Sequence, residues 1–236
     1  MGLDVYVGAL SRYYKQDWET ISQTIAKEQE IDFVVLGAEP VTDEVGELRK
    51  KIDEWRDGVK DYVKDASGGK EAVAFKWDES DDASFFTDKP DWDGYGALLL
   101  WAAYSEHDDL SVTKILDDDW INDEAFLRST ADDFRSNYTA LLNADMWVPE
   151  EFAFVLSVHD VFGHDTAIGS IVKLGQELLA LNDKTWQADS EEITRWLRDG
   201  FSDVGDLEHN AKFGFALFLD LANKAVDHNL IMKIDC

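Results

Sequence analysis

The sequence predicts an α+β fold: one compact domain over residues 1–236, with a small mixed sheet packed by six or seven helices. Three observations lead there. Strand-like apolar runs sit near both ends of the chain and again near residue 155, so a sheet must gather distant segments. Between them lie stretches with apolar residues at helical spacing. No internal repeat or low-complexity linker divides the chain, and 3 prolines are too few for a jointed, multidomain linker.

Taken in order, Leu3–Val7 alternates branched and aromatic residues and reads as a first strand. Asp17–Glu28 carries Trp18, Ile21 and Ile25 at helical spacing. Asp32–Leu36 reads as a buried strand, ended by Gly37 and Pro40. Thr42–Lys64 predicts a long helix with Thr42 as its cap. Its apolar stripe is Val45, Leu48, Ile52, Trp55, Val59 and Val63, and Ser67-Gly68-Gly69 stops it. Residues 75–92 lack a period and form an irregular acidic and aromatic loop. Asp93 then caps a helix to Ser105 that is apolar all round, and so belongs in the interior.

Asp123–Leu142 looks helical. Phe152–Val158 predicts an interior strand, and Gly163–Gly169 a turn. Ser170–Leu181 and Ser190–Arg198 predict two helices, the second capped by Ser190. Glu208–Asp227 predicts a long helix built on Phe213, Phe215, Leu217, Phe218 and Leu221, and Leu230–Ile234 a closing strand.

Charge is the strongest functional signal. Asp and Glu number 50 against 22 Lys and Arg, for a formal net charge of −28. Such a field repels nucleic acid, anionic membrane and acidic ligands, and attracts basic surfaces. The excess is clustered: Asp78–Asp93 holds seven acids against Lys89 alone, and Asp108–Glu124 seven against Lys114 alone. A merely solvated surface is one reading of these clusters, and adaptation to high salt is another. The third is a surface built to hold a basic partner. Its candidate residues are Asp82, Phe85, Phe86, Asp88, Asp91, Trp92, Asp117, Asp118, Asp119 and Trp120.

Other classes are narrowed by absence. Phosphate-binding and dinucleotide-binding glycine motifs are missing, as are the serine-hydrolase and zinc-helix signatures. Cys236 is the only cysteine, so no disulfide forms within the chain. No apolar run approaches a membrane span, and Met1–Val7 lacks the basic and apolar regions of a signal peptide. The expectation is a cytoplasmic protein with no membrane or nucleic-acid partner and no cofactor.

Two further segments are candidates. Arg12, Tyr13, Tyr14 and Trp18 either anchor the first helix on the sheet or line a second binding surface. In the anchoring reading Arg12 pairs with an acid of a neighbouring loop. His159, Asp160, His164 and Asp165 follow a strand and could share a divalent metal, which would make a metal-dependent hydrolase. A polar turn with an Asx-type bond and a Gly hinge accounts for the same residues. Gly163–Gly169 resembles the Asp-Thr metal motif of ADP-ribosylglycohydrolases over a few residues. Leu3-Asp4-Val5-Tyr6 departs from their early acidic motif, and the strands depart from their all-helical fold.

The opening Met1–Tyr14 with Asp17-Trp18-Glu19, and the stretch Phe86–Leu100, resemble a family of uncharacterised bacterial proteins. So does Leu181–Ala188. The resemblance implies a bacterial, single-domain protein and transfers no catalytic residue. Acidic bacterial proteins of this size without enzyme motifs are similar in character to immunity proteins. The expected function is therefore an inhibitor or immunity protein for a basic toxin. A metal-dependent hydrolase and a DNA-mimic or regulatory interaction module are the alternatives.

Overall fold

Successive side chains of a strand point to opposite faces of its sheet, and this chain buries both faces. In β1 (Asp4–Gly8), Val5 and Val7 enter one core and Tyr6 the other. In β6 (Ile231–Asp235), Met232 joins the first core and Ile231 the second. In β3 (Met146–Val148), Trp147 faces the first, and Met146 and Val148 face the second. The structure, a computed structural model, describes residues 2–31, 41–69, 75–117, 119–202 and 206–235. The expected strand Asp32–Leu36, together with Asp118 and Cys236, lies outside the described residues.

Among the described residues the sheet has six strands in the order β2-β1-β6-β3-β5-β4, where β2 is Phe86–Asp88, β4 Leu156–His159 and β5 Asp165–Ser170. Only β3–β5 pairs in parallel, so the sheet is mixed and the fold is α+β, as expected. Four strands differ from what the sequence predicts. β2 and β3 are 3 residues each, too short to show a period. β5 occupies the stretch expected as a turn, because its small residues hide the alternation. β4 is an outer strand, not an interior one, and its burial alternates.

Nine helices and a 3₁₀ turn surround the sheet among the described residues. The excess over six or seven has two sources. α1 (Leu10–Lys15) was hidden in the aromatic segment, and residues 123–142 divide into α5 (Glu124–Ser129) and α6 (Thr139–Asn143). α2 (Ile21–Glu28) starts later than expected, where Thr20 and Gln23 form a reciprocal capping box. α3 (Val45–Ala66) packs Leu48, Ile52, Val59 and Val63 on the second core. Glu44 precedes it without a side-chain bond, so Thr42 is not its cap.

The first core lies between the sheet and six helices, α5, α6 and four more. α4 (Asp91–Ser105) is buried on almost every side from Gly94 to Ala103. It starts two residues before Asp93, after Pro90, and no side chain caps it. α9 (Leu207–His228) crosses α4 closely, with Tyr95 and Phe218 stacked at 5.4 Å. α7 (Ile171–Lys184) follows β5, with Ser170 as its cap. α8 (Ser190–Asp199) is peripheral and is capped by Asp189, one residue before Ser190. No helix among the described residues is long and apolar enough to cross a membrane.

Candidate functional site

The ten expected partner residues divide into two groups. Asp82, Phe85, Phe86, Asp88, Asp91 and Trp92 belong to the loop before β2, to β2 itself and to the start of α4. Asp117, Asp119 and Trp120 belong to the segment before α5, which packs on α4. Among the described residues no hydrogen bond, ion pair or ring contact joins the two groups.

The first group is largely fastened to its neighbours. Glu79 accepts the backbone N–H groups of Leu10 and Ser11, at 2.8 and 2.9 Å, and the Trp77 indole at 2.7 Å. The Arg12 guanidinium donates to the carbonyls of Asp81 and Ala83 and lies 5.2 Å over the Phe85 ring. Arg49 pairs with Asp81 at 2.6 Å. Phe86 rests 5.0 Å from the His228 ring. Burial pushes the Asp88 carboxyl above its usual range, and Asp91 pairs with Lys89 at 3.4 Å. Asp82, Phe85 and Trp92 keep exposed surface.

The Arg12, Tyr13, Tyr14 and Trp18 cluster is used in anchoring. Tyr13 donates to Asp235 at 2.6 Å, and its ring stacks 6.0 Å from Trp18. Tyr14 donates to Asp160 at 3.1 Å and meets Phe162 edge-on at 4.8 Å. Trp18 packs 4.9 Å from Tyr6. Arg12 bonds loop carbonyls, and its carboxylate neighbour is Asp17 of its own segment at 4.0 Å.

The second group sits in a different environment. Residues 106–135 carry ten acids and three bases. Within the segment Arg128 answers both Asp109, at 2.9 Å, and Glu124, at 3.7 Å. Glu106 and Asp123 are spent locally, on Ser136 and Asn137 and on the α5 N-terminus. Asp108, Asp117, Asp119, Asp132 and Asp133 form no ion pair among the described residues. Trp120 is buried (9% exposed) and edge-on to Phe126, so it wedges the segment onto α4 at Gly96. The exposed apolar side chains here are ones the sequence reading passed over: Ile115 (73%), Ile121 (53%), Leu127 (51%) and Val112 (46%). For Val112, Ile115 and Ile121 the signal is the lack of any helical or strand period that could bury them; Leu127 lies on the exposed face of α5.

His159, Asp160, His164 and Asp165 form two pairs instead of one cluster. His159 and Asp165 face each other across β4 and β5, with Nδ1 3.0 Å from the carboxylate. The Asp160 carboxylate accepts the backbone N–H groups of Phe162 and His164, both at 2.9 Å, and the Tyr14 hydroxyl. Burial raises the Asp160 carboxyl, but these bonds outweigh it and hold the group below its usual range. The turn needs Gly163, whose φ is +86°. This is an Asx-type turn closing a hairpin. No group of three potential metal ligands exists among the described residues.

Next to the His159–Asp165 pair lies a groove of about 770 Å³ between α3 and the β4–β5 hairpin. Trp55, Gly58, Val59 and Tyr62 form its helical wall. Asp145, which accepts the Thr166 hydroxyl, lines its base. Trp55 and Tyr62 are seven residues apart, two turns on one helix face, a spacing the sequence displayed without a partner to give it meaning.

No family model matches this chain, and no curated protein or solved structure matches it either.

Proposed function

We propose that this chain is a cytoplasmic acidic binding protein that holds a basic protein partner through residues 106–135. An inhibitor or immunity protein that neutralises a basic bacterial toxin is the specific form of that reading. One observation carries it: Ile115, Ile121 and Leu127 stand exposed in a segment where Arg128 answers Asp109 and Glu124, while Asp108, Asp117, Asp119, Asp132 and Asp133 form no ion pair among the described residues. Apolar side chains at the centre of a patch supply most of the affinity of an interface. Surrounding charge steers the approach and fixes orientation. The resemblance to an uncharacterised bacterial family supplies the bacterial setting and no activity.

The test is capture from the native host on immobilised protein, at low and high salt, with bound proteins identified by mass spectrometry. The expected result is a basic protein whose toxicity the wild-type chain suppresses on co-expression. The pair Ile115→Asp and Ile121→Asp should lose both capture and protection. If no basic protein is retained at low salt, or if the double variant retains it equally, the reading is wrong.

A further inference from the structure

Among the described residues β4 is an outer strand, bonded within the sheet to β5 alone. In an antiparallel pair, residues alternate between those whose backbone groups face the partner and those whose groups face away. Two bonds set the parity here. The Asp160 N–H donates to the His164 carbonyl at 2.7 Å, and the Asp145 N–H donates to the Ala167 carbonyl at 3.0 Å. Ala167 is therefore turned toward β3, and Val158–Thr166 and Leu156–Ile168 are the hydrogen-bonded pairs. Ser157 and His159 direct their N–H and C=O groups to the free edge. The Trp55 indole confirms this by donating to the His159 carbonyl at 2.7 Å. Among the described residues three edge groups remain without a partner: the N–H and C=O of Ser157 and the N–H of His159.

The groove takes in Ser157 and His159 of this edge and reaches over β5 to Asp145, with α3 as its other wall. An edge strand facing a helix is the geometry that accepts an added strand. Gly58 opens the wall, since a Cβ built there meets nothing within 4 Å. Glycine inside a helix is destabilising relative to alanine, so its place here works against helix stability and leaves room. Among the described residues, the charged side chains that line the groove are Asp145 and Asp165, beside His159, and no Lys or Arg lines it.

We infer that this groove takes an extended basic peptide, added to β4 as a further strand. Opposed residues of paired strands share a face. Peptide residues level with Ser157 and His159 then meet Asp165, whose side chain is 96% exposed, and Lys or Arg suits them. The residue level with Val158 faces Val59 and Tyr62 and should be apolar. The preferred ligand alternates apolar and basic side chains. This inference stands apart from the acidic surface of residues 106–135.

The probe is a fluorescein-labelled decapeptide alternating Val and Arg, read by anisotropy at physiological salt. Its control has the same composition in two blocks, five Val and then five Arg. The alternating peptide should bind at least tenfold tighter. N-methylation of one alternate set of amides should abolish binding, and of the other set should change it less than threefold. Gly58→Leu should weaken binding at least tenfold without lowering the unfolding temperature. Ile115→Asp with Ile121→Asp should leave it unchanged, so failure of one site does not mimic failure of the other. Equal binding of the block peptide would reduce the effect to charge and overturn the inference. So would equal responses to the two methylation sets, undiminished binding by Gly58→Leu, or a β4-paired dimer that the peptide does not dissociate.

Discussion

The two sides of the sheet handle charge differently. α3 carries six acids and six bases. Six of these twelve ions are answered close by: Lys50 with Glu54, Arg56 with Asp53, Lys51 with Asp43 and Arg49 with Asp81. On the other side, residues 106–135 hold ten acids to three bases, with bare aliphatic side chains among them. The net charge of −28 is thus no uniform coat. One side is electrically quiet and offers a shaped groove with free backbone groups. The other offers a field and an apolar surface. The first suits recognition of an extended backbone, and the second suits recognition of a charged globular surface.

The largest expected effect asks whether both sides depend on one scaffold. α4 and α9 approach so closely at Gly214 that a Cβ there would lie 2.4 Å from the Gly94 carbonyl oxygen. That contact is with backbone and cannot relax by a rotamer change. Gly214→Ala gains about 1 kcal/mol of helix propensity but must separate the helices. Overpacking costs typically 1–3 kcal/mol, and rigid backbone contact lies at the upper end. We expect a net loss of about 2 kcal/mol, measured by urea unfolding. Both binding activities should fall together as the protein unfolds. Stability equal to wild type would break the picture of a tight α4–α9 seam behind the acidic side.

A comparable effect depends on pH. Glu177, on α7, is 1% exposed and accepts the N–H groups of Ala140 and Leu141, at 3.2 and 2.9 Å. It thereby fastens α6, just beyond the end of the acidic segment. Burial pushes its carboxyl from 4.5 up to about 7, against the pull of those two N–H groups and of Lys173. A raised folded value means that the native state binds the proton more tightly. The stabilisation is then full below about pH 4.5 and is lost as pH rises through about 7. Converting the shift gives ~3 kcal/mol as an upper scale. Glu177→Gln removes the titration. The stability of wild type relative to this variant should fall by about 2–3 kcal/mol between pH 4.5 and pH 8. Parallel stability curves would show that the acid end of the fold has no titrating anchor here.

The same contrast explains what the sequence could reveal. Long elements were legible because their cores repeat: α3 through Leu48, Ile52, Val59 and Val63, and α9 through Phe213, Phe215 and Leu217. β2 and β3 were not, since three residues carry no period and their pairing comes from distant β1, β5 and β6. The acidic runs were visible as composition. Which acids are free was not, because Glu79 and Asp81 are consumed by Leu10, Ser11 and Arg49, residues far away in the chain. Trp120 looked like an anchor for a partner and instead fills the space over Gly96. The groove was invisible for a related reason. Trp55 and His159 are 104 positions apart and meet only once β4 is the outer strand.

Salt separates the two modes of binding at a finer scale. Screening lengths fall from about 30 Å at 0.01 M to about 8 Å at 0.15 M ionic strength. Association through residues 106–135 should slow at least tenfold over that range, with a much smaller change in dissociation. The groove should respond less, since its peptide is held by backbone pairing as well as by Asp165. Stopped-flow association rates for the captured partner and the decapeptide give the comparison. Equal salt slopes would mean that one diffuse field, and not two distinct surfaces, governs both.

The smallest effects test the two sides most sharply, because they concern stability that should not change. Ile115 and Ile121 are 73% and 53% exposed, so replacing them with Asp removes little buried area. Substitutions of this kind usually stay within about 0.5 kcal/mol. Added negative charge in an already acidic segment pushes toward the destabilising end of that range. Gly58→Leu should do the reverse, since leucine restores most of the helix propensity that glycine gives up, about 0.8 kcal/mol. A leucine side chain there enters the groove and meets no existing atom at its Cβ. The two variants should therefore shift the urea midpoint in opposite directions while each abolishes only its own binding. If Gly58→Leu destabilises, the wall of the groove is more tightly packed than its open geometry implies, and the contrast between a shaped side and a charged side loses one of its terms.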